Sequence, residues 1–387
     1  MKKFTFSALA LALLLLPCLR SFADVTLLDT EKSKLQLFGF FKLDAVYQDA
    51  GVNGLTFPRY AVPGDGNAYL SVTHSRFGFK YAGTPLNNGM NVAAVLEWDF
   101  FDPTSPNQMK LRFRQGYFTL AKKGHSLLFG QAWDLFSPLG PTTLMTNGYL
   151  WQTGNLGFRH PQVRYAVSSP RLDFAISLND PATSGGWANK MPVVQARLGF
   201  KSGGTAKIQV GLSGIYGREN AKINFLTEPP LQNKVNIAGL SLDWNLILCK
   251  HLTLKGEYAF GENLAYVSSR AAVFTDYGSS LQELSIKAKN VSSFWSELLL
   301  AKNKWSGWLG YAFEDLREEG QLRHYGELKK TSCLLAGVQY AAGSGVSFGL
   351  EYSHFLSEIP QHDFDSNTFF FNKPKTNQLI FSAILSL

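Results

Sequence analysis

Apolar and polar residues alternate along most of the chain from residue 35 onward, with the two-residue period of a β-strand. In the first such run, Leu35 to Gln48, apolar residues recur on one face, and Gln, Lys and Asp recur on the other. The pattern predicts sixteen strands, joined alternately by seven short turns and eight long loops. After the first, the predicted strands are Tyr69 to Tyr81, Met90 to Phe101, Lys110 to Ala121, Ser126 to Trp133, Gln162 to Val167, Arg171 to Asn179, Val193 to Phe200, Lys207 to Tyr216, Val235 to Leu248, His251 to Gly261, Val291 to Ala301, Trp305 to Glu314, Ser332 to Ala341, Val346 to Phe355 and Thr376 to Leu387.

An even strand number with short turns at one end and long loops at the other predicts an all-β fold. We expect a 16-stranded antiparallel transmembrane β-barrel with short periplasmic turns and long external loops. The chain has 30 Phe, 15 Tyr, 8 Trp and 35 Gly, which suits aromatic girdles and tight turns. A secreted β-sandwich or propeller also alternates, but such folds need not separate short turns from long loops so regularly, nor place large aromatics so consistently on the outer face.

The N-terminus predicts export. Two lysines, an apolar run from Ala8 to Leu16 and a Ser21-Phe-Ala23 motif have the order of a cleaved secretory signal peptide over residues 1–23. No later stretch has the roughly 18 consecutive apolar residues that a membrane helix requires. We therefore expect a short periplasmic segment over 24–34 and an outer-membrane barrel over 35–387, in contact with lipid and lipopolysaccharide.

Charge and cysteine content limit the remaining function classes. The net charge of +8 comes without a polybasic run, so we predict no nucleic-acid partner. Cys249 falls in a predicted short turn and Cys333 at the opposite end of a strand, which predicts two free thiols.

No motif in the sequence predicts a cofactor, a metal site or a catalytic centre. The histidines lack His-x-x-x-His spacing, the cysteines lack Cys-x-x-Cys spacing, and no Gly-x-Ser-x-Gly elbow is present. We therefore predict that the protein is not an enzyme. The alternative is a barrel hydrolase in which His354 acts with Ser353, or His324 with Glu327.

The charged face of each strand is expected to line the lumen, because a Lys or Arg facing lipid near the bilayer centre costs about 2–4 kcal/mol. The first half of the predicted barrel is rich in arginine, and the second half carries more of the acids. The predicted pore-lining and solute-contacting residues are Lys42, Arg76, Arg112, Arg114, Arg164 and Arg197.

Two of these arginines have predicted partners. Folding the hairpin about residues 102–109 brings Asp99 near Arg112 and Glu97 near Arg114, which predicts cross-strand ion pairs. The other arginines, Arg76, Arg164 and Arg197, have no acidic residue at matching depth in the adjacent predicted strand. We expect these three to be the better solute contacts.

The long segment 134–160 has no strand period, and loops of this length are often functional. We predict that it folds into the lumen and narrows the pore. The residues expected to form this constriction are Asp134, Thr142, Thr143, Asn147, Tyr149 and Arg159, with Trp151 packing the loop to the wall. The alternative is that the loop lies outside, over the rim of the barrel.

A water-filled lumen with focused positive charge predicts passive diffusion of small hydrophilic solutes with a preference for anions. Guanidinium groups bind carboxylates through paired hydrogen bonds, so small carboxylates are the expected solutes. The alternative from another class is a plugged structural or adhesive barrel that acts through its external loops.

Several segments of the first half resemble the DcaP-like outer-membrane porins. They are Gly39-Phe-Phe-Lys-Leu-Asp-Ala45, Ser75-Arg-Phe-Gly-Phe79, Leu96-Glu-Trp-Asp99, Leu111-Arg-Phe-Arg-Gln-Gly-Tyr117, Leu128-Phe-Gly-Gln-Ala-Trp133 and Arg159-His-Pro-Gln-Val-Arg-Tyr165. The resemblance implies a sixteen-stranded homotrimeric channel for dicarboxylates, with Arg76, Arg114 and Arg164 in the lumen. Only residues 24–34 precede the first predicted strand, whereas some members of this family carry an N-terminal helical trimerising segment. Any trimer of this chain is therefore expected to form through the barrel wall.

Overall fold

The computed structural model describes residues 24–102, 108–146, 150, 152–181, 191–203, 207–223, 231–267, 273–276, 285–317, 328–363 and 368–387. The predicted signal peptide lies outside these residues. In the described part of the chain, no helix is both long enough and apolar enough to cross a membrane.

Strands account for nearly all regular structure in the described residues, together with one 3-10 turn at Leu264–Tyr266. The strands are β1 (Val25–Asp29), β2 (Lys34–Asn53), β3 (Tyr60–Ser71), β4 (Arg76–Gly83), β5 (Asn91–Asp99), β6 (Arg112–Lys122), β7 (His125–Trp133), β8 (Arg159–Ser168), β9 (Leu172–Asn179), β10 (Val193–Lys201), β11 (Lys207–Ile223), β12 (Leu231–Cys249), β13 (Leu252–Glu262), β14 (Val273–Asp276), β15 (Ser285–Ala288), β16 (Asn290–Lys302), β17 (Trp305–Arg317), β18 (Lys330–Gly343), β19 (Val346–Asp363), β20 (Thr368–Asn372) and β21 (Lys375–Ser386).

These strands form a closed antiparallel barrel with sixteen positions, as predicted. Each strand pairs with the next barrel strand in the chain, and β3 and β4 share one position beside β2. The barrel closes where Phe40–Gln48 of β2 pair with residues 378–386 of β21. Closure matters because a closed ladder leaves no strand edge unpaired.

The first hairpin differs from its prediction. The predicted loop from Asp49 to Ala68 is mostly strand, since β2 continues to Asn53 and β3 begins at Tyr60. The predicted strand from Tyr69 to Tyr81 is interrupted between β3 and β4. Glycine, proline and asparagine mark the segment as a loop by composition, but pairing with β2 keeps its backbone extended.

The interruption leaves Lys42 of β2 without a ladder partner on that side, and a side chain replaces the missing strand. The Lys42 amide donates to Ser75 Oγ at 3.0 Å, and Ser75 Oγ donates to the Lys42 carbonyl oxygen at 3.3 Å. One hydroxyl therefore satisfies both backbone groups of Lys42.

Strand β1 is a second difference, because residues 24–34 were predicted only as a segment before the barrel. Val25–Asp29 pairs with residues 34–37 of β2 at the end of the barrel that carries the short turns. Lys80 of β4 forms an ion pair of 2.7 Å with Asp24, the residue before β1. This segment is therefore held against the barrel.

The two faces of each strand meet different surroundings. In β9, Leu172, Phe174 and Leu178 are exposed on the outer face, whereas Ser177 and Asn179 are buried on the inner face. The inner face becomes apolar along β16 to β21, where Trp295, Trp308, Phe355 and Ile380 are buried. That apolar stretch of inner wall is covered by residues from the segment between β7 and β8.

Both cysteines of the described chain are free thiols, which confirms that prediction: Cys249 is exposed and Cys333 is buried. We expect a water-soluble maleimide to modify Cys249 in the folded protein and to reach Cys333 only after unfolding, because the buried thiol is shielded from the reagent. Peptide mass spectrometry before and after denaturation measures this. Equal modification of both thiols in the folded barrel would contradict the burial of Cys333.

Candidate functional site

Residues 134–158 connect β7 to β8 and are called the inward loop here, and those of them that the structure describes, 134–146, 150 and 152–158, lie inside the barrel. The loop leaves β7 along β10, where the backbone amides of Leu135 and Phe136 donate to Gln195 Oε1 at 2.8 and 2.9 Å. Phe136 then packs with Ile215 and Ile237 in a buried cluster on the inner wall. The loop therefore crosses to the strands opposite its own origin instead of rising over the rim.

Glu257 of β13 is the first of three glutamates that hold the loop. Its carboxylate accepts hydrogen bonds from the Ser137 hydroxyl at 2.6 Å and the Leu139 amide at 2.7 Å. The Trp295 indole of the neighbouring strand donates to the same carboxylate at 3.0 Å. Two hydrogen bonds from the loop to one buried side chain fix this part of the loop to β13.

Glu297 of β16 holds the next part of the loop. It accepts the Thr142 amide at 2.7 and 2.9 Å, one distance to each carboxylate oxygen. Lys255 forms an ion pair of 2.9 Å with Glu297 and also donates to the carbonyl oxygen of Gly140 at 2.8 Å. Lys255 and Glu297 thus bind the loop on either side of Pro141.

Glu351 of β19 is the third glutamate. It accepts the Thr143 hydroxyl and the Leu144 amide, both at 2.8 Å, and the Trp308 indole at 3.0 Å. Next to this contact, Leu144, Met145 and Leu150 of the loop pack on the buried apolar wall of β16 to β21. The apolar inner wall of these strands is therefore covered by the loop.

The returning part of the loop approaches the wall closely at Gly154. Ser293 of β16 donates its hydroxyl to the Gly154 carbonyl oxygen at 2.8 Å. Gly154 has a φ of +102°, and an added Cβ would lie 2.9 Å from the Phe313 carbonyl oxygen. Only glycine fits this conformation so close to the backbone of the wall.

The two ends of the loop are joined by polar contacts around Asp134. Its carboxylate accepts Nδ1–H of His160 at 2.9 Å and the side-chain amide of Asn179 at 2.9 Å. The His160 ring stacks on Tyr266, with centroids 4.0 Å apart. Burial, with Asp134 and Asp180 nearby, raises the pKa of the Tyr266 phenol, which donates to the Asp180 carbonyl oxygen at 2.6 Å.

The predicted constriction residues divide into those with described positions and those without. Thr142 and Thr143 bind wall glutamates, and Asp134 fixes the base of the loop. Arg159 begins β8, with its guanidinium over the rings of Trp133 and Phe158 at 4.6 and 5.4 Å. Asn147, Tyr149 and the predicted packing residue Trp151 lie outside the described residues.

The predicted cross-strand pairs of Arg112 and Arg114 are present. Arg112 binds Asp99 with two nitrogens, at 2.9 and 2.6 Å. Arg114 binds Glu97 at 2.5 Å and Asp99 at 2.7 Å, with its side chain only 2% exposed. Arg112, whose side chain is 31% exposed, remains accessible, whereas Arg114 is buried and is removed from the residues predicted to contact solute.

The prediction that Lys42 contacts solute is also corrected. It faces the interior as predicted, but its side chain is fully buried and bonded to the Asp44 carboxylate. Asp44 also accepts His74 Nδ1–H at 2.8 Å and the Ser382 hydroxyl at 2.5 Å. This buried group joins β2 to β21 and to the segment between β3 and β4.

Arg197 has no acid opposite it in either adjacent strand, as predicted, but it has an acidic partner two strands away. Arg197 of β10 binds Asp243 of β12 with two nitrogens, at 3.0 and 2.6 Å, across the intervening strand β11. Gly211 of β11 makes this possible, since a Cβ there would collide with both the guanidinium and the carboxylate. Considering only adjacent strands therefore missed the pair.

The prediction that Arg76 has no acidic neighbour in the adjacent strand is wrong, because Asp99 of β5 stands directly opposite Arg76 and Glu97 lies 4.0 Å from its guanidinium. Arg76 also donates to the Thr146 carbonyl oxygen of the inward loop at 2.6 Å. Arg164 agrees with the prediction that it has no acidic neighbour in the adjacent strand. Its guanidinium binds Gln162 at 2.7 and 2.9 Å and also donates to the carbonyl oxygen of Trp133. Within the described residues, Arg164 has no carboxylate at ion-pair distance.

The hydrolase alternative has no support from the pair of residues that the structure describes. Ser353 is buried on the inner face of β19, whereas His354 lies on the outer face and binds Asn377 Oδ1 at 2.7 Å. Consecutive strand residues point to opposite faces, so this hydroxyl and this imidazole do not act together. His324 and Glu327, the other candidate pair, lie outside the described residues.

Sequence reasoning missed the residues that position the loop: Gln195, Glu257, Glu297, Glu351, Trp295 and Trp308. A signal was nevertheless present, because inward positions of a water-filled barrel are expected to be polar, whereas Trp295, Trp308 and Ile380 are apolar. Apolar residues at inward positions indicate that something dry covers them. That signal points to the strands on which the loop packs.

We expect Arg114→Met to lower the free energy of unfolding by about 3–5 kcal/mol, because Glu97 and Asp99 would lose a buried cationic partner. Unfolding in guanidinium chloride, followed by tryptophan fluorescence in detergent micelles, measures the change. Arg317→Met is the matched control, because Arg317 is 71% exposed and its loss should alter stability by no more than about 0.5 kcal/mol. Equal stability of the two variants would contradict a buried, paired Arg114.

Known proteins resemble this chain in fold but not detectably in sequence. No protein-family model matches the chain, and a search of curated proteins finds no match. The outer membrane channel DcaP of Acinetobacter baumannii is similar with a TM-score of 0.71 and 16% identity, covering 93% of this chain and 99% of that one. OmpT of Vibrio cholerae is similar with a TM-score of 0.60 and 11% identity, covering 93% and 99%. An anion-selective porin from Comamonas acidovorans gives 0.59 and 11%, covering 92% and 100%.

At these identities the likeness establishes the fold and not the solute. The resemblance to DcaP-like porins seen in the sequence is confirmed at that level. This chain has the sixteen-stranded barrel fold of the outer-membrane porins.

Proposed function

We propose that this protein is an outer-membrane channel for passive diffusion of small hydrophilic solutes, with a preference for anions such as dicarboxylates. The observation that carries the proposal is the division of the interior into two unlike halves. The inner faces of β4 to β8, called the arginine wall here, carry Arg76, Arg112, Arg114 and Arg164. The inward loop lies against the other half, from β10 to β21.

The arginine wall suits weak binding of carboxylates. Arg112 is partly exposed, and the acceptors that Arg164 binds among the described residues, Gln162 and the Trp133 carbonyl oxygen, are uncharged, so both guanidinium groups can still attract a solute anion. Arg159 lies near Arg76, Arg112 and Arg114 and also near the acidic Glu97, so cations outnumber the acid in its surroundings. A contact of this kind contributes about 1–4 kcal/mol at 4 Å, which attracts an anion but still allows it to leave.

The proposal also includes the location of the protein in the outer membrane and its assembly as a homotrimer. Exposed Leu, Phe and Tyr side chains on the outer faces suit contact with lipid, and the expected signal peptide suits export. Vibrio cholerae OmpT has been solved in a trimer form, and we propose that this chain also forms a homotrimer in a membrane that contains lipopolysaccharide. The proposed role is transport without catalysis.

A plugged barrel that acts through its external loops is the second candidate. It is favoured by the packing of the interior, since Leu264, Tyr266 and Val267 join Phe136 and Leu156 of the inward loop in a buried cluster. Liposome swelling separates the two candidates. Uptake of small carboxylates supports the channel, whereas an absence of both swelling and stepwise conductance in planar bilayers would leave the plugged barrel.

We expect Arg164→Gln to reduce the chloride-to-potassium permeability ratio by about fivefold, because one guanidinium without a fixed carboxylate partner is lost from the lumen. Reversal potentials across a planar bilayer in a KCl gradient measure this ratio. Arg317→Gln is the control, because it removes the same charge from the outer face and should leave the ratio unchanged. A wild-type channel that prefers potassium would overturn the anion preference, whatever the variants do.

A further inference from the structure

The inward loop carries no charge of its own. Between Leu135 and Phe158 the sequence contains no Asp, Glu, Lys, Arg or His. Its polar side chains are hydroxyls and amides, and Pro138, Pro141 and its glycines shape the backbone. The loop therefore adds no fixed charge to the lumen.

The wall beneath the loop is acidic. Glu257, Glu297 and Glu351 stand on the inner faces of β13, β16 and β19, in the half of the barrel without the arginine wall. An uncovered lumen would present these three carboxylates, with Lys255 paired to one of them, opposite the arginines. Such a lumen would carry both signs of charge and would discriminate poorly between anions and cations.

The loop meets each of these carboxylates with a backbone amide. The backbone amides of Leu139, Thr142 and Leu144 donate at 2.7–2.8 Å to Glu257, Glu297 and Glu351, respectively. The Ser137 and Thr143 hydroxyls donate to the first and third glutamates. These donors reproduce the hydrogen bonds that water would otherwise provide, without bringing in a cation from the loop.

The three glutamates are removed from the lumen surface, and the arginines are not. Glu257, Glu297 and Glu351 are 1%, 2% and 1% exposed. The side chains of Arg112 and Arg76 are 31% and 14% exposed. A solute passing through the lumen would therefore reach guanidinium groups but no carboxylate of this set.

We propose that the inward loop is an electrostatic shield, which sets the charge preference of the pore by covering Glu257, Glu297 and Glu351 with uncharged backbone. The inference rests on the proposed channel function. It assigns the loop a role beyond narrowing the pore, because a loop that acted only by its bulk would have no need to cover carboxylates in particular. The arginines then determine the preference because the opposing acids are hidden.

The test replaces residues 138–156 with a short Gly-Ser linker that leaves both loop ends in place. We expect larger single-channel conductance and a roughly tenfold lower chloride-to-potassium permeability ratio, because three carboxylates and only one cation paired with them, Lys255, become part of the lumen surface. Adding Glu257→Gln, Glu297→Gln and Glu351→Gln to the shortened loop should restore the anion preference while the conductance stays large. That recovery would separate the effect of the glutamate charges on the permeability ratio from the effect of the wider pore.

The outcomes distinguish the inference from the function on which it rests. A shortened loop that raises conductance but keeps the wild-type permeability ratio would overturn the shield and leave the channel intact. Loss of anion preference that the three glutamine substitutions fail to restore would also overturn it. A wild-type protein without stepwise conductance would instead contradict the proposed function.

A second measurement uses the intact protein and does not depend on folding of the shortened variant. Carbodiimide with glycinamide modifies accessible carboxylates, and we expect Glu257, Glu297 and Glu351 to be protected in the folded barrel and modified after denaturation. Glu358, whose side chain is 34% exposed, is the internal control that should react in both states. Modification of the three glutamates in the folded protein would show that they are not shielded.

Discussion

The closed backbone ladder is the constraint on which the rest of this structure depends. Buried N–H and C=O groups need partners, and a barrel provides them by pairing its first and last strands, here β2 and β21. The gap beside β2 between β3 and β4 shows how strict the requirement is, because Ser75 supplies both a donor and an acceptor to Lys42. Once the ladder is closed, every side chain points either outward or inward.

The inward side chains then pose a problem that the outward ones do not, because charges of both signs and apolar groups share one enclosed space. Sixteen inward faces gather arginines on one side and acids with apolar side chains on the other. Ion pairs within the wall resolve part of it, as at Arg114 with Glu97 and Asp99, which leaves those groups buried and neutralised. The inward loop resolves the rest, since its amides bind the glutamates and its leucines cover the tryptophans. Wall and loop are therefore complementary in both polarity and shape.

Alternation alone was sufficient to predict sixteen strands, their two faces and the pairing of Arg112 and Arg114, because these depend on period and on neighbours in one hairpin. Features that depend on more distant strands were not predictable in this way. Arg197 reaches Asp243 over Gly211, two strands away, and Glu351 binds a loop that begins at the far side of the barrel. Pairing also overrode composition at Tyr60, where a segment rich in glycine and proline became strand.

The path of the inward loop has a consequence for the order of folding. Thr143 and Glu351 are separated by 208 residues in the chain, and Thr142 and Glu297 by 155. Contacts of such sequence separation form late, because the intervening chain must first be ordered. The loop therefore has no complete binding surface until the last strands of the barrel are in place. Its seating marks the end of assembly, so a protease that cuts an unseated loop would report barrels that are still incomplete.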